Sequence, residues 1–101
     1  MIRKKHIVTP GEVLLEEFIK PLGLTQKEVA IGLGIPQSRL SELVNGKLRI
    51  SAEYALRLSL FFGMDDKTWI NLQNNYDRQI LEETKAKNIR KQIRHFSLCY
   101  A

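Results

Sequence analysis

Apolar residues recur three and four positions apart in five stretches of the chain, each bracketed by residues that start or stop helices. Val13, Leu14 and Phe18 make the first stripe. Ahead of it stands Thr9-Pro10-Gly11-Glu12: a hydroxyl to cap, a proline preset for the first helical position, and a carboxylate to reach back to the cap. With Val8 and Val13 as a hydrophobic staple, this predicts a helix from Pro10 to about Lys20, broken by Pro21 and Gly23. The same code recurs at Thr25 and Glu28, flanked by Leu24 and Val29. A second helix therefore starts at Gln26, buries Val29, Ala30 and Leu33, and stops at Gly34, which can take left-handed backbone. Ile35-Pro36 restarts the chain at once, and a third helix turns Leu40 and Leu43 inward before Asn45-Gly46 ends it. Ser51 and Glu53 open a fourth over Ala52 to Phe62, closed by Gly63, with Ala55, Leu56, Leu58 and Phe62 as its buried spine. Asp65 caps a fifth, whose stripe is Trp69, Leu72, Tyr76 and Ile80. The pattern is all-α.

The second and third helices are short and joined by a turn of about three or four residues containing glycine, the layout of a helix-turn-helix over residues 25–47. With Ala30, Gly34, Leu40 and Leu43 committed to packing, Gln37, Ser38, Arg39, Ser41 and Glu42 must lie on opposite or flanking faces. Amide, hydroxyl and guanidinium groups at the start of a second helix are the chemistry that reads base edges in a major groove. Gln37 is the foremost reader, since a carboxamide makes paired bonds to adenine, and Arg39 suits a guanine or a phosphate. The loop that follows, NGKLR, supplies phosphate candidates: Asn45, the Gly46 amide, Lys47 and Arg49. Gln26, at a helix N-terminus, joins them. An ordinary helical hairpin with a polar, solvated face is the alternative reading of the same residues.

Charge sharpens the picture. Up to Thr84 the 101-residue chain holds equal numbers of basic and acidic side chains, so the whole net charge of +5 lies in Lys85, Lys87, Arg90, Lys91 and Arg94. The start, Arg3-Lys4-Lys5, is basic too. Positive charge gathered in patches suits a polyanionic partner, although a solubilising tail would look the same. The organisation expected is a basic arm over 1–8, a DNA-binding domain over 9–82, and a basic tail or helix extension over 83–101. In that last block Ile89, Ile93 and Phe96 return at helical spacing. The fifth helix carries more apolar surface than so small a domain can cover. A second copy related by two-fold symmetry would cover Trp69, Leu72, Tyr76 and Ile80; otherwise Trp69 and Leu72 are core and Tyr76 is surface.

Several function classes find no support. His6 and His95 stand at opposite ends, no carboxylate or cysteine cluster has metal-ligand spacing, and no glycine-rich phosphate loop is present. Ser38 and Ser41 have no histidine partner on their own element. Neither an enzyme, a cofactor nor a metal is expected. No run of 18 or more apolar residues exists and no secretion signal is apparent, and the single cysteine, Cys99, fits a reducing cytoplasm.

From Val8 to Asp77 the chain resembles the HigA family of antitoxins, within the wider Cro/phage-repressor (XRE) helix-turn-helix class. The segments that carry the likeness are TPGEVLLEEFIKPLGLTQKEVA, LGIPQSRLSELVNGK, ISAEYALRLSLFFG and WINLQNNYD. The resemblance implies a five-helix, λ-repressor-like DNA-binding domain with a basic C-terminal extension, acting as a dimer on operator DNA. It also implies neutralisation of a HigB-like toxin, an mRNA endonuclease, and repression of the shared operon. Pro36 stands where repressors of this class often carry a Ser or Thr cap. No toxin-contact residue is implied; the arm, the acidic face of helix 1 (Glu12, Glu16, Glu17) and the tail all stay open. A free-standing phage-type repressor, and an interaction module that never touches DNA, are the rival readings.

Overall fold

The computed structural model describes residues 6–96, so Arg3-Lys4-Lys5 and Cys99 lie outside it. The helix starts follow the local chemistry. Thr9 Oγ1 accepts the Glu12 N–H at 3.1 Å, and Thr25 Oγ1 accepts the Glu28 N–H at 3.0 Å while the Glu28 carboxylate accepts the Thr25 N–H at 3.0 Å. Ser51 caps through the Tyr54 N–H and Asp65 through the Lys67 N–H. These caps open α1 (Pro10–Val13), α2 (Gln26–Leu33), α4 (Ala52–Phe62) and α5 (Asp66–Thr84); α3 spans Gln37–Val44.

Helix α1 widens after Val13 into a π-helical stretch, Leu14–Ile19, whose last turn is closed by the Lys20 N–H on the Leu15 carbonyl at 3.0 Å. A π turn closes five residues back, which brings residues five apart onto one face. Leu14 and Ile19 are therefore both buried, while Val13 and Phe18 are half-buried. The α-helical period leaves Ile19 off the buried stripe, and the π turn brings it in.

The core gathers Leu14, Val29, Leu40, Leu43, Leu58 and Trp69, all essentially without exposure. Phe18 lies between Phe62 and Trp69 with ring centroids 5.1 and 5.0 Å away, tilted as aromatic quadrupoles prefer. Two expectations need correction here. Leu56 is 50% exposed: the inward face of α4 is Ala55, Leu58 and Ser59, and Leu56 shares the outer side with Leu60. Trp69 is 0% exposed in the single chain, enclosed by Phe18 and Phe62, so it has no surface to offer a second copy. The first turns of α5 pack inside the core and the later ones run past it. Along the stripe, Leu72 and Tyr76 are half-buried and Ile80 is 36% exposed.

Five helices become six among the described residues. The backbone turns at Lys85 and forms α6 (Ala86–Gln92), which seats Ala86 and ties back to α5 through Arg90 and Glu82 at 2.6 Å. Ile93 and Phe96 follow it, exposed and without regular structure. No helix of the described residues is long and apolar enough to cross a membrane.

Candidate nucleic-acid interface

The turn between α2 and α3 is three residues long. Gly34 adopts φ 71°, ψ 33°, and the Ile35 N–H returns to the Ala30 carbonyl at 3.1 Å, which terminates α2 and redirects the chain. Pro36 sits one place before the helix, with extended backbone, and α3 begins at Gln37. A proline has no side-chain acceptor, so α3 is uncapped. The Pro36 carbonyl takes the N–H of Arg39 and Leu40, leaving the first amides, at Gln37 and Ser38, available to an acceptor outside the chain.

Beneath them Leu40, Leu43 and Val44 are buried and fix the roll of α3. Gln37, Ser38 and Arg39 are exposed on its first turn; Ser41 and Glu42 are half-buried. Arg39 leans on Glu42 at 3.4 Å, a long surface pair contributing little and easily opened. The Ser41 hydroxyl accepts from Asn45 Nδ2 at 3.4 Å.

The loop after α3 departs from expectation in two places. The Gly46 amide is not free. With Gly46 at φ 75°, its N–H returns to the Leu43 carbonyl at 3.2 Å and the Lys47 N–H to the Glu42 carbonyl at 2.8 Å, so both backbone donors close the helix end. Arg49 is not a loose cation either. Its guanidinium grips Asp77 of α5, 3.1 Å to Oδ1 and 2.9 Å to Oδ2, and this contact holds the Asp77 carboxyl below the usual carboxylate range, aided by Gln73. Lys47 is exposed and makes no ion pair among the described residues. Asn45 is exposed at the mouth of the loop, and Gln26 is half-buried as the first residue of α2.

In the sequence Gln73 and Asp77 stand within the segment WINLQNNYD with nothing beside them to mark a role at the interface. Their i, i+4 spacing on one helix was the available signal; their partner lies too far along the chain for local pattern to reveal it.

A bundle that buries one face of a short helix and offers the polar first turn of that helix, with a cationic loop beside it, is a DNA-reading arrangement. A helix-turn-helix family model matches residues 15–67, and the chain is a helix-turn-helix regulator of that class. Among relatives, virulence-associated protein I of Dichelobacter nodosus is 41% identical over 77% of this chain and 72% of its own length. Antitoxin HigA-1 of Vibrio cholerae serotype O1 is 34% identical over 73% of this chain and 70% of its own. The antitoxin HigA of Pseudomonas aeruginosa, solved with the higBA promoter, superposes with a TM-score of 0.86 at 26% identity, covering 91% of this chain and 100% of that one. The chain belongs to the HigA family of antitoxins.

Proposed function

We propose that this chain is a cytoplasmic antitoxin that binds operator DNA as a symmetric dimer, represses its own operon and neutralises a HigB-like mRNA endonuclease. The observation that carries the DNA-binding part is the first turn of α3: Gln37, Ser38 and Arg39 stand exposed on an uncapped helix start, braced from below by buried Leu40 and Leu43. Gln37 reads a base, with Ser38, Arg39, Ser41 and Glu42 around it. Lys47, Asn45, Arg49 and Gln26 meet the phosphates. Leu72, Tyr76 and Ile80 of α5 form the subunit contact, and the two copies of α3 lie roughly 34 Å apart, in successive major grooves. The toxin-neutralising part is supported by family membership.

Replacing Gln37 by alanine is expected to cost about 1–3 kcal/mol on the operator and to relax preference at one base pair. Binding-site selection with the variant measures this, and an unchanged preferred sequence removes Gln37 from the reading surface. Lys47→Ala is expected to weaken specific and random DNA alike and to lower the log–log salt slope by about 1. A loss seen only on the operator would give Lys47 a different job.

The whole reading is tested by titrating the chain's own promoter across a salt series. Neutralised phosphates make affinity fall steeply with salt, whereas a module that does not touch DNA gives no shift at any salt. Co-expression with the adjacent reading frame, scored by growth rescue and co-purification, separates an antitoxin from a free-standing repressor.

A further inference from the structure

Gln73 and Asp77 reach from α5 across to the loop that leaves the reading helix. Gln73 is 5% exposed, and its amide spans two partners: Oε1 accepts the Ile50 N–H at 2.8 Å and Nε2 donates to Asp77 Oδ1 at 3.0 Å. Asp77 in turn holds Arg49 through both carboxylate oxygens. Two adjacent loop residues are thus fastened to one turn of α5, one by its backbone and the other by its guanidinium.

Such an arrangement has a physical consequence for binding. A free arginine at the end of a loop samples many rotamers, and ordering it on a phosphate costs entropy at the moment of binding. A two-pronged carboxylate orders it beforehand. The Arg49 side chain remains 67% exposed while so held, which leaves its outer face open to a phosphate oxygen. Because Asp77 offsets part of the charge, what the pair contributes is orientation more than attraction.

We propose that Gln73 and Asp77 are positioning residues for the grip on the DNA backbone: they preset Arg49 and the 45–50 loop in the geometry that meets phosphate. The proposal rests on the phosphate role assigned to Arg49 above. It also places the preset contact on the same helix as Tyr76 and Ile80, so the proposed subunit contact and the backbone contact share one rigid element.

Operator affinity measured over a salt series for Asp77→Asn, Arg49→Ala, Arg49→Lys and the Arg49→Ala/Asp77→Asn pair tests it, with thermal melts as a fold control. Asparagine keeps an acceptor for Gln73 and removes the charged grip. Asp77→Asn is expected to weaken operator binding about tenfold, the order of one charge-assisted contact, with a salt slope no steeper than that of the unaltered chain. Arg49→Ala should lose a similar factor, and adding Asp77→Asn to it should lose nothing more. Arg49→Lys, which keeps charge but not the fork, should fall with Arg49→Ala. Tighter binding by Asp77→Asn with a steeper slope would mean that the carboxylate restrains Arg49, and overturns the proposal. A full additional loss in the double variant overturns it too. Should Asp77→Asn fail to fold, Arg49→Lys decides, since unchanged affinity there rejects a geometric role. If Arg49→Ala binds normally while Lys47→Ala does not, Arg49 has no phosphate role and the proposal falls while operator binding stands. No operator binding by the unaltered chain would instead sink the functional reading itself.

Discussion

Trp69→Ala is expected to destabilise the chain by about 3–5 kcal/mol, the range for emptying an aromatic site in a closed core. The site is enclosed by Phe18 and Phe62, with ring centroids 5.0 and 6.4 Å away, and the indole has no exposure through which water could fill the gap. A domain of this size has about 5–15 kcal/mol of stability in total, so the loss is a large fraction of it. Urea unfolding followed by circular dichroism measures the change, because this is the one tryptophan and its fluorescence goes with it. Trp69→Phe is the informative partner variant. The indole N–H meets no acceptor among the described residues, so phenylalanine removes an uncompensated polar group together with part of the ring. Its cost should be under about half that of alanine. A loss below about 1 kcal/mol for Trp69→Ala would show that the site collapses freely and is no keystone of the core.

The second large effect is expected at Gly11. A Cβ added there would stand 1.8 Å from the Leu43 carbonyl oxygen, 2.8 Å from the Leu43 carbonyl carbon and 3.0 Å from Val44 Cα. All three are backbone atoms in the last turn of α3, so no rotamer change can make room and the two helices must part. Overpacking of this kind costs about 1–3 kcal/mol and sometimes more, and the roughly 1 kcal/mol by which alanine outranks glycine in a helix does not offset it. Gly11→Ala is expected at the upper end, about 3 kcal/mol, with operator affinity falling as well because α3 is the element displaced. Gly32→Ala is the control. Its added Cβ would stand 2.2 Å from Phe61 Cε1 and 2.7 Å from Cδ1, side-chain atoms of a half-buried ring that must shift against Phe62, so Gly32→Ala is expected to cost about 1 kcal/mol, clearly less than a clash with fixed backbone. Equal losses at the two glycines would refute the backbone-contact argument.

Both effects bear on how much of this molecule its residue order discloses. Where a helix begins and ends is settled by groups within four residues of one another. Thr25 and Glu28, Thr9 and Glu12, Ser51, Asp65, and the left-handed Gly34 and Gly63 accordingly act as their spacing predicts. The exposed first turn of α3 is legible for the same reason, since Leu40 and Leu43 leave Gln37, Ser38 and Arg39 only the outside.

Contacts between residues far apart in the chain obey no such code. Gly11 stands inside a capping motif whose code gives it no part, and only the approach of α1 to α3 makes it a spacer that must lack a side chain. Ile19 enters the core because the first helix widens to a π turn, and Leu56 leaves it because α4 rolls about Ala55 and Leu58. Arg49 finds Asp77 twenty-eight residues on, and Trp69 is wholly enclosed within the single chain. Local hydrogen bonding and side-chain volume decide what helices form, and they are written in the sequence. Which faces meet, and which charges and donors remain for a partner, depends on how those helices pack, and that only the tertiary structure decides.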